Sequence, residues 1–213
     1  MPASYVFKKM IKDEMKKLSK PVRLQVFLNN NEDSKKYAYT MSILKAYEES
    51  SQGMLTIEEH SIINDPDIAH KYEVQRAPTI LFIDEEGNEI IRYLSAPQGS
   101  EIQPFIQAIL VFAGAPNYYE TTIKKNLAKV SPSTIKVMVT NSCSYCPEMV
   151  NIASQFALAS EGKIKAVIID IMENPDLGEA YDALSVPLTI INDEKVISGM
   201  AGANEIFQAL IHE

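Results

Sequence analysis

Apolar residues at Phe7, Met10, Ile11 and Leu18 recur three, four or seven positions apart, and Tyr119, Ile123 and Leu127 repeat that spacing further on. Such a period predicts amphipathic helices. After each comes a run rich in Val, Ile and Leu, at Val22–Leu28 and at 135–140, which predicts a strand. Next, Tyr37, Met41, Leu44 and Tyr47 share one helical face, as do Met149, Ile152, Ala153 and Phe156. Second strands follow at 55–59 and Ile164–Asp170. A proline then opens a third strand in each half, Thr79–Ile83 and 188–192. The turn residues Asp84-Glu85-Glu86-Gly87-Asn88 and Asp193-Glu194 lead into a hairpin partner. Final helices are expected at 101–112 and 204–211.

The two series are in register. Pro66 and Pro175, Asp67 and Asp176, Tyr72 and Tyr181, and Pro78 and Pro187 are each 109 residues apart, as are Ile62 and Ile171, and Leu18 and Leu127. A repeat this long means two units rather than a solenoid. Small and turn-forming residues gather at Gly114-Ala115-Pro116-Asn117, so the expected division is 1–115 and 116–213. A βαβ unit followed by a ββα unit is the thioredoxin layout. The expected class is therefore α/β, with two tandem thioredoxin-like units whose mixed sheets are flanked by helices.

Composition narrows the function. The 213 residues carry a formal net charge of −8 with both signs interspersed, which argues against a nucleic-acid or anionic-membrane surface. No stretch approaches the roughly 20 apolar residues of a membrane span. Met1 to Leu18 is lysine-rich, is broken by Asp13 and Glu14, and lacks the apolar core of a signal peptide. A cytoplasmic location is expected. The only two cysteines stand in Cys143-Ser144-Tyr145-Cys146; in a reducing compartment, such a pair is catalytic or metal-binding more often than structural.

Cys143 follows a strand and the short loop Asn141-Ser142, and precedes a helical pattern. It should sit at a helix N-terminus, where free N–H groups and the dipole favour an anion. Comparable thiols have pKa values of roughly 3.5–7.5. Cys146, one turn later, is placed to resolve a mixed disulfide formed by Cys143. Zinc would need about four ligands, and the only histidines, His60, His70 and His212, are not spaced to complete a site. A structural pair at a strand-to-helix junction would be unusual. Redox exchange without a bound cofactor is the favoured expectation. Pro187 adds to it, because a cis proline there would leave the backbone of Val186 free to pair with an extended substrate; a plain strand-starting proline is the alternative. Tyr145, between the cysteines, is a candidate substrate contact.

With Cys143-Ser144-Tyr145-Cys146-Pro147, Val186-Pro187 and the duplication in view, the chain resembles the archaeal and bacterial protein disulfide oxidoreductases, glutaredoxin-like proteins of two fused thioredoxin folds. It is also similar to the N-terminal domain of the flavoprotein component of alkyl hydroperoxide reductase. The resemblance implies exchange with protein disulfide substrates, electrons from a thioredoxin-reductase-like flavoprotein, and delivery to a peroxiredoxin. The chain departs from many such proteins in one respect. The matching stretch of the first unit, Glu32-Asp33-Ser34-Lys35-Lys36-Tyr37, has no cysteine, which implies a redox-inactive first unit. In both families a glutamate follows a Pro-x-Gly turn near the dithiol, which here falls on Glu101 in Pro97-Gln98-Gly99-Ser100-Glu101. On its own residues Glu101 reads as a first-turn helix acid; the resemblance implies that it tunes the thiolate or takes the proton of Cys146. Asp170 and Asp176 read as turn or cap residues. A relay dedicated to one peroxidase, or a non-enzymatic peptide-binding module with ordinary thiols, are the competing readings.

Overall fold

The computed structural model describes residues 5–28 and 34–211. Glu32, Asp33 and His212, and the side chains of Phe7 and Lys36, lie outside that description.

The elements run α1 (Tyr5–Met15), β1 (Val22–Leu28), α2 (Ser34–Ser50), β2 (Leu55–Ser61), α3 (Pro66–Lys71), β3 (Thr79–Ile83), β4 (Glu89–Leu94) and α4 (Ile102–Phe112) in the first half. The second half holds α5 (Glu120–Lys125), β5 (Ser133–Val139), α6 (Cys146–Ala159), β6 (Ile164–Asp170), α7 (Pro175–Ala180), β7 (Leu188–Ile191), β8 (Lys195–Ser198) and α8 (Ala203–Leu210). Strand order within the halves is the same, β2-β1-β3-β4 and β6-β5-β7-β8. In each, the first two strands are parallel and the last two close an antiparallel hairpin.

The halves do not keep separate sheets. Strand β4 pairs with β6 in parallel, Ile91 opposite Ala166 through Leu94 opposite Ile169, and makes one sheet of eight strands. Alternation along the strands sorts side chains to its two faces. Ile135, Val137 and Val139 of β5 join the main core with α1, α2, α4, α5, α6 and α8, whereas Met138 meets Leu177 and Tyr181 on the opposite face. Phe27 and Leu81 do the same under α3. Phe105 of α4 meets Tyr47, Phe82 and Tyr93 edge-on at centroid distances of 5.1, 5.8 and 5.0 Å, contacts worth about 0.5–1.5 kcal/mol each beyond their burial.

Two sequence expectations shift. The helix read through Leu127 stops at Lys125, and Leu127–Lys129 form a 3-10 turn. The constant spacing also fails upstream of β2. Val22 pairs with Leu55 and Ser133 with Ile164, so the first half has two more residues between its first two strands. The Leu18/Leu127 match is therefore out of structural register.

Candidate active site

The dithiol lies where β5 gives way to α6. Thr140 to Tyr145 form the turn, and the helix begins at Cys146 rather than at Cys143. Pro147 explains the start: a proline fits the first helical turn because its missing N–H would have no partner there. The structure holds Cys143 and Cys146 as a disulfide with Cα atoms 5.5 Å apart. Cys146 is fully buried and Cys143 only partly. The backbone N–H of Cys146 donates to Cys143 Sγ at 3.1 Å. Once the bridge is reduced, that donor and the dipole behind it would favour a thiolate at Cys143. Two sulfurs of unequal access, the outer one facing an N–H donor, suit stepwise exchange.

Two other segments meet this turn. The Val186–Pro187 peptide is cis, as is Ala77–Pro78 in the first half, and the Val186 carbonyl oxygen lies 3.8 Å from Cys143 Sγ. Tyr145 is the N-cap residue of α6 and is 67% exposed. The second segment comes from the first half. Ser100 N–H donates to Asn141 O at 2.8 Å, and Ser100 Oγ to Thr140 O at 3.3 Å. Gly99 has φ +57°, and a Cβ there would lie 2.1 Å from Asn141 O. Only glycine permits both that φ and that approach.

This clip carries Glu101 into the core. It is 1% exposed, and neither carboxyl oxygen has a hydrogen-bond partner among the described residues. Burial, and then the charge of Asp170, push its pKa up to about 8. Tyr47 and Tyr93 feel the same carboxyl; burial and then Glu101 raise both phenols. Asp170 ends β6, is 1% exposed, and accepts the N–H of Met172 at 2.8 Å, so its cap role is real but partial. The sequence marked it as a cap and gave no sign of its neighbour 69 residues upstream. Asp176 is exposed and forks with Arg76 of the first half. Tyr119 packs edge-on against Phe156 at 5.1 Å, while Tyr118 stands 84% exposed. Among the described residues, no group of three or more His, Cys, Asp or Glu could hold a metal ion.

The thioredoxin domain family matches residues 133–212. The second half of the chain has a thioredoxin-like fold. It is 29% identical over 79 residues to a probable thioredoxin of Methanothermobacter marburgensis, a match spanning 37% of the present chain and 93% of that relative. Over nearly the whole length the chain is similar to two solved structures. One is a mutant of the alkylhydroperoxide reductase protein AhpF from Enterococcus faecalis, 25% identical, with 99% of this chain and 100% of that one covered at a TM-score of 0.85. The other is a protein disulfide oxidoreductase from Aeropyrum pernix, 24% identical, with 97% and 91% covered at 0.86, a likeness of fold. With its CxxC bridged in a thioredoxin-like fold, the chain is a thioredoxin-like thiol–disulfide oxidoreductase. No helix among the described residues is long and apolar enough to cross a membrane.

Proposed function

We propose that the chain reduces protein disulfides with Cys143 as nucleophile and Cys146 as resolving thiol. The Cys143 thiolate attacks one sulfur of the substrate disulfide, whose S–S bond breaks and whose other sulfur leaves as a thiolate. Cys146 gives its proton to the Glu101 carboxylate and attacks Cys143 Sγ. The second substrate thiolate leaves, both substrate thiolates take protons from water, and the protein holds the disulfide. Two electrons have passed to the substrate. The observation that carries this reading is the arrangement of the sulfurs: the outer one meets the first N–H of α6 and the inner one is fully buried. Tyr145, Met172, Leu184 and Met200 are 67, 74, 97 and 51% exposed at the sheet end that bears the dithiol, an apolar rim suited to a protein segment. Val186 would pair with that segment's backbone.

Cys146→Ser keeps the attack and loses the release. The variant should accumulate mixed disulfides with a peptide disulfide, visible as a stoichiometric mass gain on non-reducing analysis; turnover without adduct would reject the assignment.

Glu101→Gln removes the internal base. With a pKa of about 8, the carboxylate fraction at pH 7 is about a tenth and grows toward pH 8, so assistance to Cys146 grows with it. Exchange by the variant should be slower by at least about 10-fold at pH 7 and should lack that rising limb. Stability follows the same group. A carboxyl raised on folding holds a proton that the unfolded chain releases, so folded stability declines as pH climbs from the ordinary carboxylate range through about 8. The decline should be absent in the variant's oxidised form. Stopped-flow exchange and urea unfolding across pH check both.

In this reading the chain is two units: 1–115 without a dithiol, which supplies Glu101, and 116–213, which carries the exchange. Having its only cysteines in one reactive pair favours a reducing compartment such as the cytoplasm. The full-length similarity to AhpF favours an electron relay, fed by a thioredoxin-reductase-like flavoprotein and discharging to a peroxiredoxin, over a purely peptide-binding module. Thiol titration separates those two, because a binding module would leave both thiols near the ordinary value of about 8.5.

A further inference from the structure

Glu101 and Asp170 come from different halves and reach the same place. Asp170 stands opposite the last residue of β5, Val139, and the Ile171 N–H donates to Val139 O at 3.0 Å. The 3-10 turn of Gly99–Glu101 is bonded to the next two residues of that segment, Thr140 and Asn141. The two carboxyls thus lie on either side of the chain that leads into the dithiol, both 1% exposed. The packed elements bring few other ionisable groups to Glu101: Tyr47 from α2, Tyr93 from β4 and Cys146 of α6, with none on α4. Glu173 is the remaining acid of the loop after β6, and its N–H bonds to Asp170 O.

We infer that Glu101 and Asp170 form a buried carboxyl pair holding a single proton between the halves, in which Asp170 is a positioning residue that acts on the dithiol through Glu101. Two carboxylates in one water-poor site cannot both ionise cheaply, so the proton taken from Cys146 stays on Glu101 while Asp170 remains charged. The burial-raised pKa of Glu101, with Asp170 as its named neighbour, agrees with this. The action of the pair on the dithiol rests on the reading of Glu101 as the base, and it explains how a half without a thiol could set the protonation of the half that has two.

The test is a carboxyl carbon-13 NMR titration of the oxidised protein, with Glu101→Gln and Asp170→Asn assigning the signals. In the wild type the Asp170 resonance should carry an inflection at the Glu101 midpoint. In Asp170→Asn that midpoint should fall by about one unit, and the rising limb of the exchange profile should move down with it. A wild-type Asp170 signal with no such inflection overturns the pair even if the variant fails to fold. An unmoved Glu101 midpoint in a folded variant overturns it too, and an unmoved exchange profile overturns the positioning role. A coupled titration alongside a Glu101→Gln profile identical to the wild type would leave the pair standing and remove Glu101 as the base.

Discussion

Cys143→Ser should reduce insulin-type disulfides no faster than buffer, a loss on the order of 10³-fold or more. The reason is electronic. The reacting species is a thiolate, made available here by the Cys146 N–H 3.1 Å from Cys143 Sγ and by the helix behind it. A serine hydroxyl in that place stays protonated and cannot displace a sulfur. The substitution is nearly isosteric at a partly exposed position, so the reduced variant should melt within about 0.5 kcal/mol of the reduced wild type. Full activity in this variant would mean that Cys146, fully buried, makes the first attack, and the division of labour would have to be reversed.

Gly99→Ala should be the most damaging single change outside the dithiol. A Cβ at this position would stand 2.1 Å from the carbonyl oxygen and 3.0 Å from the carbonyl carbon of Asn141. Both are backbone atoms and cannot swing aside as a side-chain tip would. The left-handed φ adds about 1–2 kcal/mol, and losing the hydrogen bond between the half-buried Ser100 and Asn141 adds about 0.5–1.5 kcal/mol. A total of about 1.5–3.5 kcal/mol corresponds to a Tm roughly 3–14 °C lower for a chain of this size. Exchange should fall as well, since Asn141 precedes Cys143 by two residues and the base rides on the same turn. Thermal unfolding of the oxidised protein, read with its exchange rate, tests both. A Tm within about 1 °C of wild type would show that the contact is not tight in solution.

What was legible in the chain was local. Runs of Val, Ile and Leu marked the strands and a near-four period the helices, and Cys143, Cys146 and Pro187 stood out by type and spacing. Relations between distant segments left no such mark. The pairing of β4 with β6 brings together strands that are not neighbours in sequence, and nothing in Ile91 or Ala166 declares the other. Gly99 looked like an ordinary turn glycine because the carbonyl that forbids a side chain there belongs to Asn141. Asp170 looked like a cap and is one; its second neighbour comes from the other half. Glu101 could be singled out by resemblance, whereas its burial, the source of its chemistry, depends on helices α4 and α6 closing over it. The start of α6 was misjudged because Cys143 keeps the benefit of a helix N-terminus while standing in the turn ahead of it.

The β4–β6 seam also decides what would happen if the chain were cut between Phe112 and Glu120. Each fragment would inherit a ragged flank of unpaired N–H and C=O groups that the intact molecule never shows to water. These flanks are apolar, with Ile90, Ile91 and Leu94 on one and Ile164, Val167 and Ile169 on the other, and flanks of that kind recruit foreign strands. The two sides of the seam thus guard one another against aggregation.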